Sequence, residues 1–223
     1  MNLSDVRFFS DINTCSIEKI KQFSIIKHYK KGEDIFMYKD KLDYLYVVLS
    51  GKVSMQRVNT EGQKRLFYIL DEGNLINENV FDEYPSSVDC VAFENCEIIL
   101  IDKVELLSVM ENDFKLTMKI LNSIGKKQRR LYRQLKNTLP IGIDKKLAAK
   151  LWKLSKDYGV IWNDGIKLIN LRVSCTNLAY MLGTTRESVS RAMRLLIEVG
   201  VCFWKEKELY VNEQECLKYY RGE

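Results

Sequence analysis

The chain has 223 residues, 46% of them hydrophobic and two of them proline, a composition that supports a substantial core and excludes a disordered protein. No apolar stretch is long enough to span a membrane, and the N-terminus lacks the regions of a signal peptide, so we expect a cytoplasmic protein. The six cysteines form no CxxC pair and His28 is the only histidine, which argues against zinc and iron–sulfur sites.

The formal net charge of +5 is distributed unevenly. Residues 1–113 carry 13 Lys and Arg against 20 Asp and Glu, residues 114–138 carry 8 against 0, and residues 139–223 carry 14 against 10. Because basic segments attract polyanions, this asymmetry predicts that the C-terminal half meets a polyanion while the N-terminal half has another task.

Residues 20–101 have the pattern of short strands separated by glycine turns. Apolar runs and alternating polarity predict strands at 45–49, 53–58, 65–70, 88–92 and 97–101. Many short strands with such turns predict a small antiparallel barrel or roll, and a plain sandwich without a ligand is the alternative.

Residues 74–87, NLINENVFDEYPSS, interrupt this regularity. The segment is too polar and irregular for a strand, although strands flank it on both sides. We therefore expect a short helical turn and loop at the mouth of the barrel, where barrels hold ligands. A purely structural connection is the alternative.

A long helix is predicted next. Its less polar side chains recur at alternating spacings of three and four, which is the a/d seam of a coiled coil. The seam consists of Phe114, Thr117, Leu121, Ile124, Gln128, Leu131 and Leu135. This narrow stripe predicts a parallel homodimer in which Gln128 can set the register, and packing on the chain's own barrel is the alternative. Lys126, Lys127, Arg129, Arg130 and Arg133 are expected on solvated faces.

Leu139-Pro140 ends the helix and predicts a domain hinge, because the residue before a proline is pushed out of the helical region. The remaining pattern predicts a helix, two short strands, a pair of helices, a β-wing and a closing helix. These elements are expected at 143–158, within 161–173, at 174–200, at 201–211 and at 213–220.

Residues 174–200 have the spacing of a helix-turn-helix, with the turn at 183–185. Ser174 is a suitable N-cap, Gly183 permits the positive φ of a sharp turn, and Val189 is apolar where the second helix must be buried. Polar side chains share the outward face of the second helix. They are Arg186, Glu187, Ser190, Arg191 and Arg194. Such a face fits the major groove of DNA, and an ordinary helical hairpin with a solvated arginine face is the alternative.

The order of roll, long helix, hinge and winged helix resembles the Crp/Fnr family of transcription regulators over essentially the whole chain. The matching segments are TTRESVSR at 184–191, LYVVLSGKV at 45–53, GNLINENVF at 73–81 and EIILIDKVELLSVM at 97–110. The resemblance implies an α+β protein that is not an enzyme. It has a cyclic-nucleotide-binding-like β-roll sensor domain at 1–112, a dimerisation helix at 113–138 and a winged helix-turn-helix DNA-binding domain at 139–223.

The resemblance also assigns roles to residues of the helix-turn-helix. Arg186, Glu187 and Arg191 match family positions that read bases, and Ser190 matches the Fnr-type pattern. A half-site resembling TTGA or TGTGA is implied, with the Fnr-like form favoured. Further matches fall on positions that contact DNA phosphates, for which helix capping is the alternative role. These residues are Thr176, Thr185 and Ser188.

The sensor domain departs from the cyclic-AMP-binding members of the family. Glu78 matches their ribose-binding glutamate, but Ser86, beside Ser87, replaces their phosphate-binding arginine. Leu131 and Tyr132 replace the Thr-Ser pair that meets adenine, so cyclic AMP is not the expected effector. A regulator that is active without any ligand is one alternative, and an uncharged or aromatic small-molecule effector is the other. Its pocket would be formed by Tyr68, Ile76, Asn77, Tyr84 and Tyr132.

The sequence gives less support to the other sensing mechanisms of the family. The N-terminal cysteine cluster of Fnr is missing, and His28 alone does not supply a haem site, so no cofactor is expected. The sequence therefore predicts a dimeric regulator that binds palindromic promoter DNA, and RNA polymerase if it is an activator. The alternatives are an effector-independent regulator, thiol sensing through Cys15, Cys90 or Cys175, and a cyclic-nucleotide-binding module that acts on a protein partner.

Overall fold

The computed structural model describes residue 3 and residues 6–82, 84–136 and 141–222, without the side chains of residues 78, 79 and 136. The predicted hinge at Leu139-Pro140 lies outside the described residues. The chain divides into two compact units, Met1–Tyr132 and Arg133–Glu223. Within the described part of the chain, no helix is both long enough and apolar enough to cross a membrane.

The N-terminal unit combines seven strands with helices at both ends. The strands are β1 (Ser24–Tyr29), β2 (Asp34–Phe36), β3 (Tyr44–Ser50), β4 (Val53–Val58), β5 (Lys64–Leu70), β6 (Asp89–Ala92) and β7 (Cys96–Asp102). The helices are α1 (Thr14–Gln22), α2 (Lys103–Met110), the start of α3 (Phe114–Lys136) and a 3₁₀ helix (Glu78–Asp82). The 3₁₀ helix lies within the segment predicted as a helical turn. Sequence analysis did not predict α1 or α2 as separate helices.

The seven strands form two antiparallel sheets, with strand orders β1-β7-β3 and β2-β6-β4-β5. Strand β3 is buried on both faces. Successive side chains of a strand point to opposite sides, so its two faces contact different layers. Leu45 and Val47 join an apolar cluster that includes the helices, while Tyr46 and Val48 pack against residues of the other sheet. The first sheet is thus covered on one side by helices and on the other by the second sheet, which confirms the predicted roll.

The N-terminus of α3 is fixed by a buried carboxylate. Asp113 accepts hydrogen bonds from the Ser16 hydroxyl at 2.7 Å and from the Leu116 amide at 3.1 Å, which joins α1 to the first turn of α3. Burial raises the pKa of Asp113, but these hydrogen bonds outweigh it and lower the pKa below its ordinary value. Leu116 and Ile120 then bury one face of α3 in the core of the unit.

The C-terminal unit follows the predicted order of elements. The elements are α4 (Ile143–Tyr158), β8 (Gly159–Asn163), β9 (Ile166–Ile169), α5 (Cys175–Leu182), α6 (Arg186–Glu198), β10 (Cys202–Lys205), β11 (Glu208–Asn212) and α7 (Glu213–Arg221). The four strands form one sheet in the order β10-β11-β9-β8, in which β10 and β11 form the predicted wing. Leu147, Leu151, Leu178, Val189 and Leu196 are fully buried and form the core beneath the helices.

One carboxylate joins α4, β9 and α7. Glu213 accepts hydrogen bonds from the Ser155 hydroxyl and the Lys156 ammonium, both at 2.8 Å, and its other close contact is the Lys167 ammonium at 2.9 Å. Burial raises the pKa of Glu213, but the hydrogen bonds from these three residues outweigh it and lower the pKa to about 2. The charged form of Glu213 therefore stabilises the packing of the C-terminal unit.

The substitution Glu213→Gln is expected to lower the free energy of unfolding at pH 7 by about 1–2 kcal/mol, after allowance for solvent screening. Because the folded pKa lies below the unfolded one, this stabilisation is present above about pH 5 and is lost as the pH falls towards the folded pKa of about 2. The difference between wild type and variant in denaturant unfolding should therefore narrow on acidification.

Glu215→Gln is the matched control for this measurement. Glu215 lies in the same helix and pairs with Lys218 at 2.8 Å, but its side chain is 38% exposed. Exposed pairs within a helix typically contribute about 0.3–0.5 kcal/mol. Equal losses in the two variants, or a difference that does not change with pH, would contradict the assigned role of Glu213.

Candidate nucleic-acid interface and effector cavity

Helix α5 has the start and end that its sequence predicts. The Ser174 hydroxyl accepts from the Asn177 amide at 3.2 Å, and the Asn177 side chain accepts from the Ser174 amide at 2.9 Å, which is a capping box. The helix ends at Gly183, whose φ of 67° lies in the left-handed region that glycine adopts without strain. The Gly183 amide donates to the Ala179 carbonyl at 2.8 Å and completes the turn into the next helix.

Helix α6 is capped by Thr185, whose hydroxyl accepts from the Ser188 amide at 3.2 Å. Its inner face is buried and consists of Val189, Ala192, Met193 and Leu196. The predicted base-reading residues lie on the other side, where Arg186, Glu187 and Arg191 are exposed and Ser190 is half-buried. The structure therefore gathers these four side chains at the N-terminal half of one solvent-facing helix.

The predicted phosphate-contacting residues lie near the starts of the two helices. Thr185 donates from its hydroxyl to the Ser188 hydroxyl at 3.1 Å in addition to capping the helix. Thr176 is half-buried in the first turn of α5. Capping thus accounts for Thr185 in the free protein, and its contact with phosphate stays a prediction.

The N-terminal unit contains a cavity of about 920 Å³ between the roll and α3. Strands β4 and β5, the 3₁₀ helix and the segment before β6 form one side, and α2 and α3 form the other. The structure brings four of the predicted pocket residues to its walls. They are Tyr68, Ile76, Ser87 and Leu131.

Of the other predicted pocket residues, those whose side chains the structure describes do not line the cavity. Asn77 is buried, where its side chain accepts from the Tyr46 amide and donates to the Tyr44 carbonyl, both at 2.8 Å, so it supports β3. The Ser86 hydroxyl donates to the Val88 carbonyl at 2.7 Å within its own turn. Two further side chains are largely exposed and do not line the cavity, namely Tyr84 and Tyr132. The side chain of Glu78 lies outside the described residues.

Lys127 is a cavity residue that sequence analysis placed on a solvated face. Its ammonium donates to the backbone carbonyls of Leu75 at 2.8 Å and Ile76 at 2.9 Å. The Tyr68 hydroxyl donates to the Lys127 carbonyl at 3.2 Å, and the Arg130 guanidinium lies 4.9 Å from the centre of the Tyr68 ring. The sequence signal for this placement is helical spacing: Lys127 lies three residues after Ile124 and four before Leu131, so it shares a side of the helix with these seam residues.

The predicted seam runs along a largely exposed face of α3, and part of it lines the cavity. Its large apolar side chains are between 41% and 76% exposed. They are Phe114, Leu121, Ile124, Leu131 and Leu135. Helix α3 therefore packs on the roll through Leu116 and Ile120, and its second apolar stripe is largely exposed.

The described residues give less support to a metal site or to thiol sensing than to an effector cavity. Among the described residues, no group of three or more His, Cys, Asp or Glu is placed to hold a metal ion. Cys90 is fully buried, and burial raises the pKa of its thiol, so its reactive thiolate form is suppressed. Cys15 is exposed and Cys175 is half-buried.

Comparison with known proteins decides the family. Residues 26–113 match the cyclic nucleotide-binding domain, and residues 145–219 match the Crp-like helix-turn-helix domain. The chain belongs to the Crp/Fnr family. As a Crp/Fnr protein it is a DNA-binding transcription regulator and not an enzyme.

Individual Crp/Fnr proteins resemble the chain over most of its length. The anaerobic regulatory protein of Bacillus subtilis is 26% identical over 206 residues, which is 90% of this chain and 86% of that protein. The cyclic AMP receptor protein of Thermus thermophilus is 28% identical over 174 residues, or 78% of this chain and 77% of that protein. The structure of FixK2 from Bradyrhizobium japonicum shares the fold, with a TM-score of 0.76 at 18% identity over 87% of this chain and 96% of that one.

Two substitutions at Thr185 separate its capping role from a contact with phosphate. Thr185→Ala should lower the free energy of unfolding by about 1 kcal/mol because α6 loses its cap. Thr185→Asp keeps a capping oxygen, so its stability should stay near that of wild type, but its negative charge should weaken DNA binding at least about tenfold if a phosphate lies beside it. Thermal unfolding and gel-shift titration measure the two effects, and wild-type DNA affinity in Thr185→Asp would exclude the phosphate contact.

Proposed function

We propose that this regulator binds a palindromic promoter site as a parallel homodimer, that an Fnr-like half-site is preferred, and that a small-molecule effector other than cyclic AMP controls it. Residues 1–112 are the sensor, residues 113–138 the dimerisation helix and residues 139–223 the DNA-reading domain in this proposal. The observation that carries it is the exposed face of α6, on which Arg186, Glu187 and Arg191 stand together at a capped helix N-terminus.

The chemistry of this face suits direct reading of bases. A guanidinium such as that of Arg191 can donate two hydrogen bonds to O6 and N7 of guanine, and a carboxylate such as that of Glu187 can accept one from N4 of cytosine. Glu187 and Arg191 are four residues apart, so they lie one above the other on the helix and can reach neighbouring base pairs. The buried inner face holds α6 against the core while this outer face enters the major groove.

The exposed seam of α3 supports the dimer. Large apolar side chains at a and d positions normally pack against a partner helix, since leaving them in water forfeits the free energy of their burial. A symmetric dimer would carry two copies of α6. A palindromic site with half-sites about one helical turn apart, roughly 34 Å, follows from that symmetry.

The cavity argues for an effector that differs from cyclic AMP. Ser86 occupies the position of the family's phosphate-binding arginine, and its hydroxyl is already bonded within its turn. No arginine is among the described residues that line the cavity, whose walls are mostly apolar. We further propose that RNA polymerase is a partner if the regulator activates transcription.

Gel-shift titration on a palindromic site tests the reading face. Arg191→Ala should weaken binding to the preferred site by about 1–3 kcal/mol and relax the preference at one base position. Arg221→Ala is the matched control, because Arg221 is an exposed arginine in α7, away from α6 along the chain. The base-reading role is excluded if Arg191→Ala weakens binding to all sequences equally.

A charged substitution in the seam tests the dimer. Leu121→Glu places two carboxylates in an apolar seam, so the variant should sediment as a monomer and lose cooperative binding to the full palindrome. Asn122→Glu introduces the same side chain at the neighbouring exposed position of α3 and should leave the dimer intact. A Leu121→Glu protein that remains dimeric would show that subunits associate through another surface.

A further inference from the structure

Two arginines face each other across the hairpin of β4 and β5. Arg57 and Arg65 are paired in register, so their side chains leave the same face of the sheet with Cβ atoms about 5 Å apart. Like charges in directly opposite positions destabilise a sheet. Neither arginine lines the cavity between the roll and α3. The pair is therefore a concentration of positive charge that the proposed effector site does not explain.

Arg57 is held in position by an aromatic ring. Its guanidinium lies 3.6 Å from the centre of the Tyr38 ring, and one of its nitrogens donates to the Val58 carbonyl at 3.0 Å. A guanidinium carries several N–H donors, so this described hydrogen bond leaves most of them available. Stacking on an aromatic face orients the planar group without using its donors. Arg57 is thus oriented and can still bind an anion.

Arg65 is half-buried and has no counter-ion in the described part of the chain. Its guanidinium makes no hydrogen bond or ion pair with the residues that the structure describes. Burial lowers the pKa of Arg65, and among the described residues no acidic side chain opposes this effect. A partly buried charge without a partner costs free energy, which a bound anion recovers. Arg65 therefore has the surroundings of an anion-binding side chain and not those of a structural ion pair.

A third cation lies beside the same aromatic ring. The Lys39 ammonium is 5.4 Å from the centre of the Tyr38 ring. Lys39 has a φ of 72°, in the left-handed region that residues other than glycine seldom adopt, and its amide donates to the Ser86 carbonyl at 2.8 Å. Such a conformation costs free energy and persists where the surrounding structure fixes it. The turn therefore keeps Lys39 and Arg57 together at one ring.

The acidic side chains next to this ring are engaged with the backbone. Asp89 accepts from the Tyr38 amide at 2.8 Å, and Asp40 accepts from the Met37 amide at 2.7 Å. In the described structure, neither carboxylate forms an ion pair with the three cations. The positive charge of this surface is thus not neutralised by the described carboxylates around it.

We infer that this surface binds a small oxyanion with two negative charges, of the phosphomonoester type, between Arg57 and Arg65 beside Tyr38. Two guanidiniums match the charge of a phosphomonoester, which is about −1.5 to −2 near pH 7 and is spread over three acceptor oxygens. Their planar forks suit bidentate contacts with such oxygens. A phosphodiester or a carboxylate carries one charge and leaves one guanidinium uncompensated. The site is separate from the effector cavity and does not depend on the proposed function.

Calorimetry on the full-length protein at low ionic strength tests the inference with three probes. Methyl phosphate and inorganic phosphate are dianions at about pH 8, whereas dimethyl phosphate has the same geometry and one charge. We expect methyl phosphate to bind at least about tenfold more tightly than dimethyl phosphate, because charge-assisted contacts to two guanidiniums need two negative charges. Inorganic phosphate identifies the source of the ligand. Equal affinity indicates the free ion and weaker affinity indicates a phosphorylated metabolite, and both results support the inference.

Variants assign the binding to the arginine pair. Arg57→Gln and Arg65→Gln should each weaken the binding of methyl phosphate at least about tenfold. Arg7→Gln is the matched control, because Arg7 is an exposed arginine of the same unit whose guanidinium lies 3.4 Å from Asp71. Its affinity should change less than about twofold. Arg65→Lys keeps the charge without the fork and should retain part of the affinity, and it replaces Arg65→Gln if that variant does not fold.

The inference is refuted if methyl phosphate does not bind, if dimethyl phosphate binds as tightly, or if Arg7→Gln loses as much affinity as the variants of the pair. Binding that persists when both arginines are replaced by Gln refutes it as well. Gel shifts with the same preparations separate this inference from the proposed function. Sequence-specific DNA binding without phosphate binding refutes only the anion site, and absence of sequence-specific DNA binding refutes only the proposed function.

Discussion

Helix α3 has two apolar faces, and the organisation of the N-terminal unit depends on how they are used. Leu116 and Ile120 are buried against the roll, and Asp113 fixes the start of the helix by hydrogen bonds to α1 and to its own first turn. The second face is exposed along the seam. A helix that packs on its own domain with one face and exposes the other face for a partner can transmit a change in the first contact to the second.

Lys127 connects α3 to the roll and lies beside residues of the exposed seam. Its ammonium reaches carbonyls of the roll, and its carbonyl accepts from Tyr68, so both ends of this residue connect helix and roll. The cavity beside it takes seam residues as part of its wall.

The C-terminal unit stabilises the exposed face of α6. The capping box at Ser174, the left-handed Gly183 and the cap at Thr185 define where α5 and α6 begin and end, and the buried inner face of α6 determines which side chains remain outside. Glu213 adds a charged contact among α4, β9 and α7. Because the helix boundaries and the buried face are both defined, Arg186, Glu187 and Arg191 project from a stable support.

The sequence by itself determined the features that depend on local chemistry: five of the seven described roll strands, the caps and turn of the helix-turn-helix, the outward face of α6 and the family. Periodicity and capping act over a few residues, so they can be read without coordinates. Only the tertiary structure decided which side chains line the cavity. It placed Lys127 on the wall, assigned Asn77 and Ser86 to backbone support and left Tyr84 in solvent. The contacts of Lys127 and Asn77 join residues tens of positions apart in the chain, for which local spacing carries little signal.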